Sequence, residues 1–193
     1  MKRLCVFCGS SEGNSPAFTN AARELGQAIA ARDIEMVFGG SHVGLMGVVA
    51  DAALAGGGKV IGVLPRFMSD KELAHLRLTR LHLVETMHER KQLMVELSEG
   101  FVALPGGFGT FEEIFEAITW SQLHLHGHPC AFLNVEGYFD SLLEFLRCAA
   151  EKGFVRREHL DALIVAETPD ELFTKFAAFK PETVEKWIPA KLI

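Results

Sequence analysis

This chain lacks any run of lysine and arginine, and its acids outnumber its bases 25 to 19, for a net charge of −6. A protein that tracks a phosphate backbone needs clustered cations, so nucleic acid is not an expected partner. A small anion in a local pocket remains open, because overall charge says little about one site. No apolar run approaches the roughly 20 residues of a membrane span, so no membrane is expected either. The opening Met1-Lys2-Arg3-Leu4-Cys5-Val6-Phe7-Cys8-Gly9 starts like an export signal, but its apolar stretch is short and runs straight into a glycine turn. It reads as a first strand, and a cytoplasmic location is expected. Cysteines are few: Cys5, Cys8, Cys130 and Cys148. The C-x-x-C spacing of the first two lacks the second pair that a zinc site would want. Three apart on a strand, they point to opposite faces and read as small buried apolar groups. Repeats, low-complexity stretches and linkers are absent too.

What is present is an ordinary globular composition, 49% hydrophobic and 23% charged over 193 residues. That size and balance predict one domain with a real core and exclude a disordered chain. Short apolar runs alternate with helical patterns. Strands are expected at Leu4–Cys8, Glu35–Phe38, Lys59–Leu64, Leu81–Glu85, Phe101–Leu104, Pro129–Asn134 and Leu163–Ala166. Between them, Ser15-Pro16 opens a helix, Gly44–Ala55 is a second, and Tyr138–Lys152 is another. Capping boxes stand at Ser69-x-x-Glu72, Thr86-x-x-Glu89 and Thr110-x-x-Glu113, and Thr168-Pro169-Asp170-Glu171 caps the last helix. Such alternation predicts a Rossmann-like, doubly wound parallel α/β sheet of about seven strands with helices on both faces. The natural strand order is 3-2-1-4-5-6. The catalytic domain is expected over 1–180, with a tail over 181–193.

Ligands bind such sheets beyond the carboxyl ends of the strands, at the switch point. Two glycine turns lie there, Gly39-Gly40-Ser41-His42-Val43-Gly44-Leu45-Met46-Gly47 and Pro105-Gly106-Gly107-Phe108-Gly109-Thr110. Cys8-Gly9-Ser10-Ser11 and Thr86-Met87-His88-Glu89-Arg90-Lys91 are the other crevice loops. Glycine lets backbone N–H groups approach a phosphate at a helix N-terminus, although tight turns without a ligand would use it as well. No Gly-Lys-Ser/Thr follows either turn, and no G-x-G-x-x-G follows the first strand, so neither a P-loop nor a standard NAD fingerprint is present. Arg90 and Lys91 sit in the first turns of a helix, where its dipole disfavours cations by roughly 0.3–1 kcal/mol each. A bound anion would reverse that sign; a solvated helix balanced by Glu89 is the plainer alternative. Glu113 has two readings, the capping partner of Thr110 or a carboxylate that stabilises an oxocarbenium-like ribosyl cation or activates water. His124, His126 and His128 resemble a metal tract but suit a polar turn better. His42 and His88 fall in the crevice loops, where solvent-facing or structural roles suit them, and Trp120 reads as packing or interface.

The run Pro105-Gly106-Gly107-Phe108-Gly109-Thr110-Phe111-Glu112-Glu113 resembles the P-G-G-x-G-T-x-x-E signature of the Lonely Guy (LOG) family. Arg90-Lys91 at the matching upstream spacing, Cys8-Gly9-Ser10-Ser11 and Gly44-Leu45-Met46-Gly47 extend the resemblance from residue 3 to about 180. It implies a cytokinin riboside 5′-monophosphate phosphoribohydrolase, an N-glycosyl hydrolase that cleaves a purine nucleoside 5′-monophosphate to free base and ribose 5-phosphate. Many bacterial members act on AMP. The family has often been labelled lysine decarboxylase, yet no pyridoxal-phosphate apparatus is visible here. By motif, Arg90 and Glu113 would be the catalytic pair. Lys91, Gly106, Gly107, Gly109, Thr110 and Glu112 would bind the nucleotide, with Gly9, Ser10, Ser11, Gly40, Gly44 and Met87 as further contacts. No cofactor and no metal are implied, and a homodimer is. Ser41 departs from the third glycine that many members carry. Segment 66–80 varies in the family and is expected to help select the base. The alternative is a non-catalytic nucleotide-binding or molybdenum-cofactor carrier protein of the same fold.

Overall fold

Strands and helices alternate along the chain as their sequences require. The strands are β1 (Arg3–Phe7), β2 (Glu35–Phe38), β3 (Val60–Pro65), β4 (Arg80–Val84), β5 (Phe101–Ala103), β6 (Cys130–Leu133) and β7 (Ile164–Ala166). The helices are α1 (Pro16–Ala31), α2 (Gly44–Ala55), α3 (Arg66–Ser69), α4 (Met87–Glu96), α5 (Phe108–Gln122), α6 (Asp140–Glu151), α7 (Arg157–Asp161) and α8 (Pro169–Ala178). The computed structural model describes residues 1–69 and 73–181. Glu72 of the box at 69–72, and the tail from 182 onward, lie outside the described residues. Three of the expected caps form: Ser15 Oγ accepts from Ala17 N, Thr86 Oγ1 from Glu89 N and Thr168 Oγ1 from Glu171 N. No helix among the described residues is long and apolar enough to cross a membrane.

All strand pairs are parallel, in the order β4-β3-β2-β1-β5-β6-β7. The α/β class and the seven strands agree with expectation, but the strand order does not. The fourth strand does not lie beside β1; it pairs with β3 at the edge, and β5 takes the place beside β1. The reason is burial. Every residue of β3 is buried and needs a neighbour on both sides, whereas Arg80-Leu81-His82-Leu83-Val84 is at best half-buried, the character of an edge strand. Phe101-Val102-Ala103 is wholly buried and suits the centre. The switch point therefore lies between β1 and β5, and α4 carries the chain back across the sheet from its edge to its middle.

The two faces have separate cores. Leu25, Ile29, Val49, Ala53, Leu172 and Phe176 build one with α1, α2 and α8. Met94, Ile114, Ala117, Ile118, Phe139 and Leu143 build the other with α4, α5 and α6. Cys8 belongs to the first core and Cys5 to the second, as their spacing on a strand requires. Both are free thiols, and burial raises their pKa.

The α1–α2 contact depends on Gly26. A β-carbon there would lie 2.4 Å from Val49 O and 2.9 Å from Ala52 Cβ. Gly26→Ala gains roughly 1 kcal/mol of helix propensity, but it forces two helix backbones apart, an overpacking cost of about 1–3 kcal/mol. A net loss of stability is expected in urea unfolding, and an unchanged or higher midpoint would count against this packing.

Candidate active site

Three backbone turns meet above the switch point. Gly9 N donates to Pro105 O at 3.0 Å, and Leu45 N donates to Gly9 O at 3.1 Å. Gly44 has a positive φ of 57°, and a β-carbon on it would lie 2.3 Å from Ser10 C. A β-carbon on Gly106 would lie 2.1 Å from Thr110 Oγ1 and 2.7 Å from Gly9 N. Any side chain at these two positions would push the turns apart. Between them opens a cleft of about 320 Å³, walled by Ser10, Ser11, Phe18, Leu45, Gly107 and Tyr138 among others.

Helix α5 starts at Phe108 with Gly107 as its N-cap, two residues before the expected opening at Thr110. The Thr110–Glu113 capping box therefore does not form. Thr110 is buried inside the first turn, its hydroxyl folded under Gly106. No side chain caps α5, so its first N–H groups face the crevice end of the sheet with the positive end of the dipole. Gly107 and Gly109 are informative here. A β-carbon on either would meet nothing within 4 Å. Neither has a positive φ. No contact among the described residues demands glycine at these two positions, whereas a closely approaching ligand would.

The Arg90–Lys91 pair is matched by carboxylates of α5. Arg90 Nη1 donates to Glu113 Oε1, and Arg90 Nε donates to Val63 O at 3.1 Å. Lys91 Nζ donates to Glu112 Oε1, and to Glu116 Oε1 at 3.0 Å. The cations sit near the N-terminus of α4 because acids of the neighbouring helix hold them, an option that sequence reasoning did not weigh. The Arg90 and Glu113 side chains are only 8% and 10% exposed. Arg90 lies flush against Gly39, where a β-carbon would come within 2.1 Å of Nη2. Burial raises the Glu113 carboxyl above its ordinary range, and the opposing pull of Arg90 does not fully cancel it. Burial lowers the Lys91 ammonium, but its two carboxylates outweigh that and the net shift is upward. A lysine so held is a fixed cation rather than a nucleophile.

The other expected residues are also placed. Gly9, Ser10, Ser11, Gly106 and Gly107 line the cleft, and Met87 is exposed at the first position of α4. Gly40, with φ 77°, packs on Leu64 and Leu81. Ser41, in place of a third glycine, donates its hydroxyl to Leu73 O at 2.9 Å. His42 N reaches the same carbonyl at 3.1 Å, and His75 N donates to Gly40 O at 2.9 Å. The buried His75 is held in turn by Asp51 at 2.9 Å. The part of segment 66–80 that begins at Leu73 is thus tied to the Gly39–Gly47 turn. His126 bonds Ala117 O and stacks on His128 near the amino ends of β6 and β7, far from this cleft. Among the described residues no group of three or more His, Cys, Asp or Glu is placed to hold a metal.

Sequence reasoning missed Glu116, Asp51, His75 and Tyr138. Glu116 was accessible in principle, one turn after Glu112 on the same helix face. Tyr138 follows β6, whose loop meets the glycine turns only once β5 stands beside β1.

Gly109→Ala separates a structural role from a ligand role. The methyl enters open space and replaces a first-turn glycine, so a gain of up to about 0.5 kcal/mol in stability is expected. Nucleotide affinity should fall at the same time. Lower stability with unchanged binding would show that the glycine serves the fold alone.

The family model described as "Possible lysine decarboxylase" matches residues 46–176. The chain is 44% identical over 181 residues to "Probable cytokinin riboside 5′-monophosphate phosphoribohydrolase LOGL2" of Oryza sativa subsp. japonica, covering 94% of this chain and 74% of the relative. It is 43% identical over 180 residues to a cytokinin riboside 5′-monophosphate phosphoribohydrolase of Arabidopsis thaliana, covering 93% and 84%. The fold also matches that of the molybdenum cofactor binding protein from Rippkaea orientalis, with a TM-score of 0.69 at 21% identity over 92% of this chain and 97% of that one. That last likeness concerns the fold alone. Identity at this level over nearly the whole length, together with the matching family model, places the chain in the LOG family, that of the cytokinin riboside 5′-monophosphate phosphoribohydrolases.

Proposed function

We propose that this protein is a hydrolase of nucleoside 5′-monophosphates, splitting a purine nucleotide such as AMP or a prenylated adenine nucleotide into free base and ribose 5-phosphate. One observation carries the reading: a buried acid, Glu113, is held by Arg90 one turn beyond an uncapped helix N-terminus whose glycines face open space. The 5′-phosphate takes the N–H groups of Gly107, Phe108 and Gly109. Ser10 and Ser11 stand across the cleft to meet the sugar. No lysine or arginine is among the described walls of the cleft, so the helix dipole and the N–H groups supply the anion's partners. When the bond from C1′ to the base nitrogen breaks, the electron pair leaves with the base, which takes up a proton. The ribosyl centre becomes cationic. The Glu113 carboxylate stabilises that cation and accepts the proton of the water that adds to C1′. Arg90 keeps the carboxylate in one orientation, and Glu112 with Glu116 holds Lys91 beside it. This assigns the catalytic domain to residues 1–180, with no metal or cofactor in the step. A cytoplasmic location belongs to the same reading and fits the free, buried Cys5, Cys8 and Cys130.

A homodimer is part of the same proposal. The apolar face of α5, which could have served it, is spent on the core through Ile114, Ala117 and Ile118. Phe67, Leu83 and Phe108 are among the large apolar side chains left exposed, and sedimentation velocity decides whether two copies associate.

Incubation with AMP and with isopentenyl-AMP in buffer containing EDTA should release free base, followed by chromatography. The ratio of kcat/KM for the two nucleotides identifies the preferred base. Glu113→Gln should lower kcat by about 100- to 10,000-fold. Because Glu113 acts ionised and its pKa is raised, the wild-type rate should fall as pH drops through a value above the ordinary carboxylate range. Normal turnover by the Gln variant would overturn the mechanism, and tight nucleotide binding without base release would favour a carrier.

A further inference from the structure

The chain has a single tyrosine, Tyr138, and it sits at the edge of the cleft. Its hydroxyl donates to Gly106 O at 2.6 Å. The turn that presents it is stiff. Asn134 Oδ1 accepts from Phe139 N at 2.8 Å, Asn134 Nδ2 donates to Asp140 Oδ1 at 2.7 Å, and Tyr138 N donates to Val135 O at 3.0 Å. The ring meets Phe18 edge to face at 5.9 Å and Phe139 at 5.0 Å.

The bond matters because of the peptide it holds. Gly106–Gly107 is the one unit of the Pro105–Thr110 turn flanked by glycine on both sides, so no β-carbon opposes its rotation. A trans peptide aims its N–H opposite its carbonyl, and no peptide bond in the described chain is cis. Rotated by half a turn, this unit would exchange the Gly107 N–H for a carbonyl oxygen on the side where an anion binds, turning attraction into repulsion. The neighbouring carbonyl, Pro105 O, is already held by Gly9 N. Gly106 O is held by Tyr138.

We propose that Tyr138 is a positioning residue that locks the Gly106–Gly107 peptide with its N–H toward the substrate phosphate. The proposal rests on the reading of the α5 N-terminus as the phosphate seat. The tyrosine need not touch the nucleotide; it acts through the orientation of one peptide. A ring without the hydroxyl would keep the contacts with Phe18 and Phe139 and lose the lock.

The test is Tyr138→Phe, with dissociation constants measured by calorimetry for ribose 5-phosphate, AMP and adenosine. Loss of one hydrogen bond of this kind predicts about fivefold to tenfold weaker binding of the two phosphorylated ligands. Adenosine, which has no phosphate, should bind as it does to the wild type. The melting temperature should stay within about 2 °C, since the site is part-exposed and the packing is kept. In turnover, KM for AMP should rise by a similar factor and kcat should change less. Unchanged affinity for ribose 5-phosphate overturns the proposal, as does an equal loss for adenosine. Wild-type protein that binds ribose 5-phosphate but releases no base refutes the hydrolase reading while the affinities still decide the role of Tyr138. Wild-type protein that binds no phosphorylated ligand refutes both.

Discussion

The site depends on backbone touching backbone at Gly9. Its N–H is taken by the turn after β5 and its carbonyl by the start of α2, and Gly44 and Gly106 press against the same loop without side chains. Contact this close leaves little freedom for the three turns to move independently. The start of α5 is thereby fixed relative to β1. The backbone of Glu113, less than two turns along that helix, is placed by the glycines, and Arg90 then holds its carboxylate.

Charge is arranged on the same principle. A buried arginine or carboxylate alone would cost several kcal/mol, and pairing removes most of that penalty. Here Arg90 and Lys91 of α4 are answered by Glu113, Glu112 and Glu116 of α5. The two helices bring their own counterions, so no ligand is needed to make the arrangement tolerable. The free end of α5 is left as the positive end of an uncapped dipole. On the proposed function, the carboxylate and the phosphate seat are one turn apart along one helix, which keeps their opposite preferences from colliding.

Much of this was legible in the sequence, and what was not has physical causes. The strand positions followed from short apolar runs, and the caps at Ser15, Thr86 and Thr168 from hydroxyls followed by helical patterns. The opposite faces of Cys5 and Cys8 followed from the two-residue period. Thr110 misled because a capping box is a local pattern. The helix instead starts where the three turns require, at Phe108, and the threonine fills the space beneath Gly106. The strand order misled because adjacency was assumed to follow the usual switch, while the polar alternation of β4 already marked an edge. Glu113 and Arg90 stand out as a pair in the sequence only through the motif, and their direct contact is tertiary, so no spacing contains it. Tyr138 and the Asp51–His75 link lie far in sequence from the turns they hold, and only the folded chain brings them together.

The course of α4 has an evolutionary side. Arg90 takes its bearings from Val63 O and Glu113, both outside the segment that joins β3 to α4. Within that segment Leu73 and His75 are tied to the Gly39–Gly47 turn, whereas neither bonded partner of the guanidinium lies in it. The anchors of the guanidinium thus belong to β3 and α5, so variation in the connection that skirts the sheet's edge need not reach them.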